Sequence, residues 1–144
     1  MTTKTFGINN VVPGKIDKVI KTDEEWRHAL TRQQYEILRR EETELPFTSP
    51  LNDEKRQGTY VCRGCELPLF MSSMKFDSGT GWPSFFTSIP GSVETKLDLK
   101  MIYPRHEYHC ARCGGHQGHV FKDGPMPTGQ RWCNNGQSLK FIPV

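Results

Sequence analysis

The sequence predicts a mostly β protein: an antiparallel β body behind short N-terminal helices, stapled by a four-cysteine zinc site. Three observations carry this. Beyond residue 58 the apolar residues come in short runs, "GTYVC", "LPLFM", "SVETKL", "KMIY", "HEYHC", "GHVF", "RWCN" and "SLKFI", divided by Gly, Pro, Asn and Asp. That rhythm belongs to short strands. Upstream stand two helix-start signatures, and through the β region run two matched Cys-x-x-Cys pairs.

Residues 1–20, beginning with the polar "MTTKTFGINN", are expected to be a flexible segment, with the folded domain spanning 21–144. A chain of 144 residues, 35% hydrophobic and 24% charged, suffices for one domain burying roughly 70% of its unfolded surface. In "TDEE", Thr22 and Glu25 have the capping-box spacing, and the acidic first turn suits the positive end of a helix. Trp26, Ala29 and Leu30 then form one apolar stripe. "TRQQ" repeats the box with Thr31 and Gln34, so a second helix starts there with Tyr35, Ile37 and Leu38 facing the core. Arg39 and Arg40 suit its negative end, and Pro46 and Pro50 close the helical region.

A net charge of +3 neither demands nor excludes an anionic partner. No apolar run reaches membrane-spanning length and no signal segment is recognisable, so the expected compartment is the cytoplasm. The odd count of five cysteines agrees, since a secreted disulfide scaffold would use an even number.

Cys62 and Cys65, with Cys110 and Cys113, form two pairs in which one tight turn aims both sulfurs at one ion. Four thiolates make a closed tetrahedral site with no open position, which reads as one structural zinc per chain. Residues 66–109 separate the pairs, so the ion staples distant hairpins.

Cys133, in "GQRWCNN", stands outside that set. A lone cysteine is often an inert core thiol. His116 and His119 in "GGHQGHVF" taken alone would be ordinary strand histidines, Asn135 a turn residue and Trp82 in "TGWPSFF" a core indole. Together they supply a nucleophile, two candidate proton donors, an orienting amide and an aromatic platform.

"FDSGTGWPSFF", "CARCGGHQGHVFKDGP" and "TGQRWCNNGQSLKF" resemble the methionine sulfoxide reductases of the B type, and the likeness runs from about Trp26 to Phe141. The resemblance implies two twisted antiparallel sheets with N-terminal helices, and a zinc ion remote from the active site. It also implies reduction of the R epimer of methionine sulfoxide in oxidised proteins and peptides. Matched position by position, it implies that Cys133 is the catalytic cysteine and that Trp82 receives the substrate methyl. His116, His119 and Asn135 match active-site residues, and Cys62, Cys65, Cys110 and Cys113 match the zinc ligands.

A sulfoxide sulfur resists attack until its oxygen takes a proton, so a thiolate needs an acid beside it, a task histidine performs near neutral pH. The acid role is assigned to His119 with His116 assisting, the reverse being left open, and a nearby imidazolium is expected to favour the Cys133 thiolate. Attack leaves a sulfenic acid on Cys133. Many family members resolve it with a cysteine two residues before the tryptophan; here that position is Thr80. The expected reductant is therefore external: thioredoxin, glutaredoxin or a small thiol. A monomer with no nucleic-acid or membrane partner is expected.

Two other readings remain. One is a non-catalytic zinc-stapled β binding module, which leaves Cys133 without a task. The other makes His116, His119 and Cys133 a second metal site, although the segment lacks the glutamate of a His-Glu-x-x-His motif.

Overall fold

The computed structural model describes residues 16–144. Residues 1–15, most of the segment expected to be flexible, lie outside the described residues. Residues 16–20 carry no regular secondary structure, and the Val19 N–H donates to the Arg112 carbonyl at 2.8 Å.

Helix α1 spans Asp23–Ala29 and α2 spans Arg32–Arg40. Both capping boxes form. The Thr22 hydroxyl accepts from the Glu25 N–H at 3.1 Å while the Glu25 carboxylate accepts from the Thr22 N–H at 2.8 Å. Thr31 and Gln34 exchange the equivalent bonds at 3.2 and 3.0 Å. Helices this short are unstable alone; burial of Trp26, Tyr35, Ile37 and Leu38 holds them. Of the stripe expected on α1, Trp26 is buried, Leu30 half-buried and Ala29 exposed.

Nine strands follow: β1 Gly58–Cys62, β2 Pro68–Met71, β3 Lys75–Phe76, β4 Ser84–Phe85, β5 Val93–Asp98, β6 Arg105–Cys110, β7 His116–Phe121, β8 Arg131–Asn134 and β9 Leu139–Pro143. They form two antiparallel sheets, one ordered β2-β1-β9 and one ordered β3-β4-β8-β7-β6-β5. The core is an aromatic layer between them. Phe70 of the small sheet stacks on Phe85 of the large one at 4.0 Å and 9°, and Tyr60 meets Phe85 edge-on at 5.0 Å. Tyr108 meets Phe70 edge-on at 6.3 Å. Offset and edge-on contacts of this kind add to the area each ring buries.

"KMIY", Lys100–Tyr103, is not a strand. Asp98 pairs with Arg105 across β5 and β6, so the chain must reverse between them. The Lys100 N–H caps the Asp98 carboxylate at 2.9 Å, a local side-chain turn that overrides the β propensity of the apolar run. Met101, Ile102 and Tyr103 are left exposed at the hairpin tip.

Candidate active site

Sheet register builds the site. Ser84, Cys133, His119, Glu107 and Lys96 pair in succession across β4, β8, β7, β6 and β5. Residues paired directly in an antiparallel sheet project from the same face with Cβ atoms about 4.5–5.5 Å apart. Cys133 and His119 are therefore neighbours by strand pairing.

His116 and His119 would point to opposite faces of a regular strand. A register slip changes that: Tyr108 pairs with Gly118 but His109 pairs with His116, leaving Gln117 as the extra residue of a bulge. The two imidazoles come to 5.7 Å between centroids, at 73°. They are not equivalent. His116 is 3% exposed, and neither of its ring nitrogens has a partner among the described residues. Burial, with the nearby His119 adding to it, pushes its pKa down to about 4.

The His119 Nε2 lies 2.9 Å from the Asp98 carboxylate. Asp98 is itself buried and is held by the Lys100 N–H and by Arg105 at 3.2 Å. The Lys100 N–H first, then His119, hold the Asp98 carboxyl well below its usual range. Burial lowers the His119 pKa while the bond to Asp98 opposes it. Asp98, Glu107 and His119 offer ligand atoms within 4.8 Å of one another. Their charges are already answered, with Lys96 3.2 Å from Glu107 and Arg105 on Asp98. Among the described residues, His116, His119 and Cys133 do not form a metal-ligand group, which removes the second-metal reading.

Cys133 is half-buried, and burial raises its pKa. The Arg131 charge and the Thr80 hydroxyl pull the other way, so the opposing groups are these rather than the expected imidazolium. Arg131 is fixed by two bonds to Asp123, at 2.9 and 3.1 Å, and lies 4.3 Å above the Phe121 ring.

Trp82 and Asn135 share an anchor. The Trp82 Nε1–H donates to the Glu44 carbonyl at 3.1 Å, and the Asn135 Oδ1 accepts from the Glu44 N–H at 3.0 Å. The buried Glu44 carboxylate accepts from the Gly136 and Gln137 N–H groups, each at 2.8 Å. One Asn135 amide hydrogen goes to the Gln117 carbonyl at 3.0 Å. A side-chain amide carries two donors, so the second N–H has no partner among the described residues.

A cavity of about 250 Å³ joins these pieces, with Trp82, His119, Cys133 and Asn135 in its wall beside Thr80 and Arg105. It has room for one long side chain. His116 is not in the wall. Sequence reading missed Asp98, Arg105, Arg131, Glu44 and Gln117. The opposite charges of Asp98 and Arg105 flanking a short apolar run were the one available signal, that of a hairpin closed by an ion pair.

The four paired cysteines meet away from this cavity. Cys62 Sγ lies 3.6 Å from Cys113 Sγ, Cys65 Sγ lies 3.4 Å from Cys110 Sγ, and all four sulfurs fall within 4.8 Å of one another. A tetrahedron with metal–sulfur bonds of about 2.3 Å has edges near 3.8 Å, so the donor set and its spacing fit a metal ion. The N–H groups of Gly64, Arg112 and Gly115 point at Cys62, Cys110 and Cys113, each at 3.4 Å, as befits thiolate acceptors. Hydrogen bonds from the other three thiols, Cys110 first, hold Cys113 far below the ordinary thiol range. The cluster ties β1 and its following turn to the end of β6 and its following turn, and so joins the two sheets.

Residues 30–143 match the SelR domain family. The chain is 52% identical over 128 residues to the peptide methionine sulfoxide reductase MsrB of Agrobacterium fabrum, covering 88% of this chain and 95% of that one. It is 52% identical over 130 residues to the protein of the same name from Pseudomonas putida, covering 89% and 97%. It is also 54% identical over 121 residues to the chloroplastic peptide methionine sulfoxide reductase B1 of Oryza sativa, covering 83% and 56%.

Proposed function

The chain belongs to the SelR domain family of B-type methionine sulfoxide reductases, and on that premise we propose that it reduces methionine (R)-sulfoxide in oxidised proteins and peptides. The observation that supports this most is the cavity itself, which sets a thiol, an imidazole backed by a carboxylate, a free amide N–H and an indole around one side chain's worth of space. A non-catalytic zinc-stapled module gives that constellation no task.

The sulfoxide side chain enters with its methyl against the Trp82 face, a contact worth about 0.3–1.5 kcal/mol, enough to orient the group. Cys133 Sγ attacks the sulfur while His119 donates a proton to the oxygen and Asn135 holds that oxygen through its remaining N–H. His119 is the donor because it lines the cavity and carries Asp98, whereas His116 lies behind the wall with its pKa down to about 4. A transient sulfur–sulfur bond forms; the oxygen then passes to Cys133 as its bond to the methionine sulfur breaks, and cleavage of the sulfur–sulfur bond, with its electron pair going to the methionine sulfur, releases methionine. The Cys133 thiol becomes a sulfenic acid as the sulfoxide becomes a thioether. The proton given up by the thiol equals the one the oxygen received, so His119 ends as it began.

Cys133 is the one cysteine outside the cluster, and Thr80 stands beside it in the cavity wall where many relatives carry a resolving cysteine. An external thiol, from thioredoxin, glutaredoxin or a small molecule, returns the sulfenic acid to the thiol. Cys62, Cys65, Cys110 and Cys113 hold a zinc ion whose four protein ligands leave no open position, so it serves the fold. The enzyme acts as a cytoplasmic monomer; among the described residues no helix is long and apolar enough to cross a membrane.

The test is turnover of separated R and S methionine sulfoxide epimers by wild type and Cys133→Ser. Only the wild type with the R epimer should react. One equivalent of substrate without reductant should leave a singly oxygenated Cys133 by mass spectrometry, and an internal disulfide there would overturn the external-thiol step.

A further inference from the structure

The hairpin joining β5 and β6 carries apolar surface that the fold does not use. Leu97, Leu99, Met101, Ile102 and Tyr103 are 53%, 69%, 57%, 93% and 79% exposed. A concentration of large apolar side chains outside the core marks an interaction surface more often than a packing accident. The two charged residues among them are each paired. Asp98 is buried on His119, and the Lys100 ammonium lies 2.6 Å from Glu41 at the end of α2. The Lys100 side chain is still 59% exposed, so the tip carries one paired cation beside its apolar side chains, and the ion pair to Glu41 holds it in place.

The tip is anchored at the cavity, although none of its apolar side chains lines the wall. Its two bases are Asp98, bonded to His119, and Arg105, which lines the cavity wall. The cavity admits one side chain, so the residues on either side of an oxidised methionine must lie across its rim, and on this side the rim is the apolar tip. We propose that the β5–β6 tip docks the polypeptide flanking the oxidised methionine and favours segments with apolar neighbours, such as core segments exposed when oxidation loosens a fold. This rests on the sulfoxide reductase reading and extends it from the reacting side chain to the residues beside it. A platform of exposed apolar side chains whose one cation is already paired to Glu41 fits an apolar peptide better than a nucleic acid or an acidic partner.

The experiment uses single turnover without reductant, which isolates the oxidative half-reaction. Three substrates are compared: N-acetylmethionine (R)-sulfoxide, a heptapeptide with leucine and valine around (R)-sulfoxide, and the same peptide with serine and aspartate there. Wild type should consume the apolar peptide about tenfold more efficiently than the other two. In Ile102→Ser/Tyr103→Ser, both changes lying on exposed side chains, that ratio should collapse towards one, through the peptide's apparent binding constant and not its limiting rate. Equal use of all three by wild type, or a ratio that survives the double substitution, overturns the proposal. A double variant impaired only in the later reduction by thioredoxin would assign the tip to the reductant, and a wild-type dimer dissociated by the substitutions would assign it to a second copy; either refutes peptide docking. If wild type leaves even N-acetylmethionine (R)-sulfoxide unreacted, the activity itself falls, a failure distinct from an absent preference.

Discussion

Asp98→Asn tests the proposed acid. The carboxylate is buried, lies 2.9 Å from His119 Nε2, and also pairs with Arg105 at 3.2 Å. Asparagine keeps the shape and can still bond the imidazole, so the change removes the charge and little else. A hydrogen bond to a charged group contributes about 1.5–3 kcal/mol, and a pKa unit is 1.36 kcal/mol. His119 should therefore fall by roughly one to two pKa units, from a value that burial already lowers. The Arg105 charge, relieved of its partner, pushes the same way. The sign is fixed by the role. An acid must be protonated to act, so kcat is lost as pH rises through the His119 pKa, and the substitution moves that loss to lower pH. Above both values kcat should drop about ten- to a hundredfold, with KM little changed because Asp98 does not touch the substrate. The assay is kcat and KM for (R)-sulfoxide across the pH range, with His119→Ala as the floor. A variant whose kcat falls equally at every pH, or does not fall, would refute the assignment of His119 as acid; an unchanged melting curve separates the effect from unfolding.

Two further outcomes follow from the geometry. Apparent binding of structural zinc is about 10–16 kcal/mol, comparable to the whole stability of a domain at about 5–15 kcal/mol. Because the cluster joins the two sheets, chelation should unfold the β body, and a chelated sample with an unchanged melting temperature would contradict this. Gly118 backs β8 so closely that a Cβ there would sit 1.8 Å from the Cys133 carbonyl oxygen. Gly118→Ala must push β8 away from β7, so activity should fall by at least tenfold even where circular dichroism still reports a folded protein. Wild-type rates would show that β8 yields without moving Cys133.

The helices were legible because a capping box is local: Thr22 with Glu25 and Thr31 with Gln34 specify their own ends within four residues. The longer strands were legible from their apolar runs. The two-residue strands β3 and β4 were not, since so short an element has no period of its own and is set by its neighbours. Lys100–Tyr103 misled because β propensity measures fit to a half-buried sheet surface and yields to a turn. At the candidate site, Trp82, His119, Cys133 and Asn135 could be named from local motifs, and they share one cavity. His116 and His119 looked alike in sequence, and only the bulge at Gln117 and the position of Asp98 separate them. Glu44 reaches Asn135, Gly136 and Gln137, and Asp98 reaches His119, across long stretches of chain, which no local pattern records.

Gln117 has a consequence of its own. It is wholly buried; its amide nitrogen donates to Cys62 Sγ at 3.5 Å, and its amide oxygen accepts from Asn134 Nδ2 at 3.1 Å, next to Cys133. A single amide thus spans the gap between the sulfur knot and the working strand. An oxidant harsh enough to spoil the knot should therefore slacken the strand as well, and metal release and lost turnover should rise together in one titration with hypochlorite.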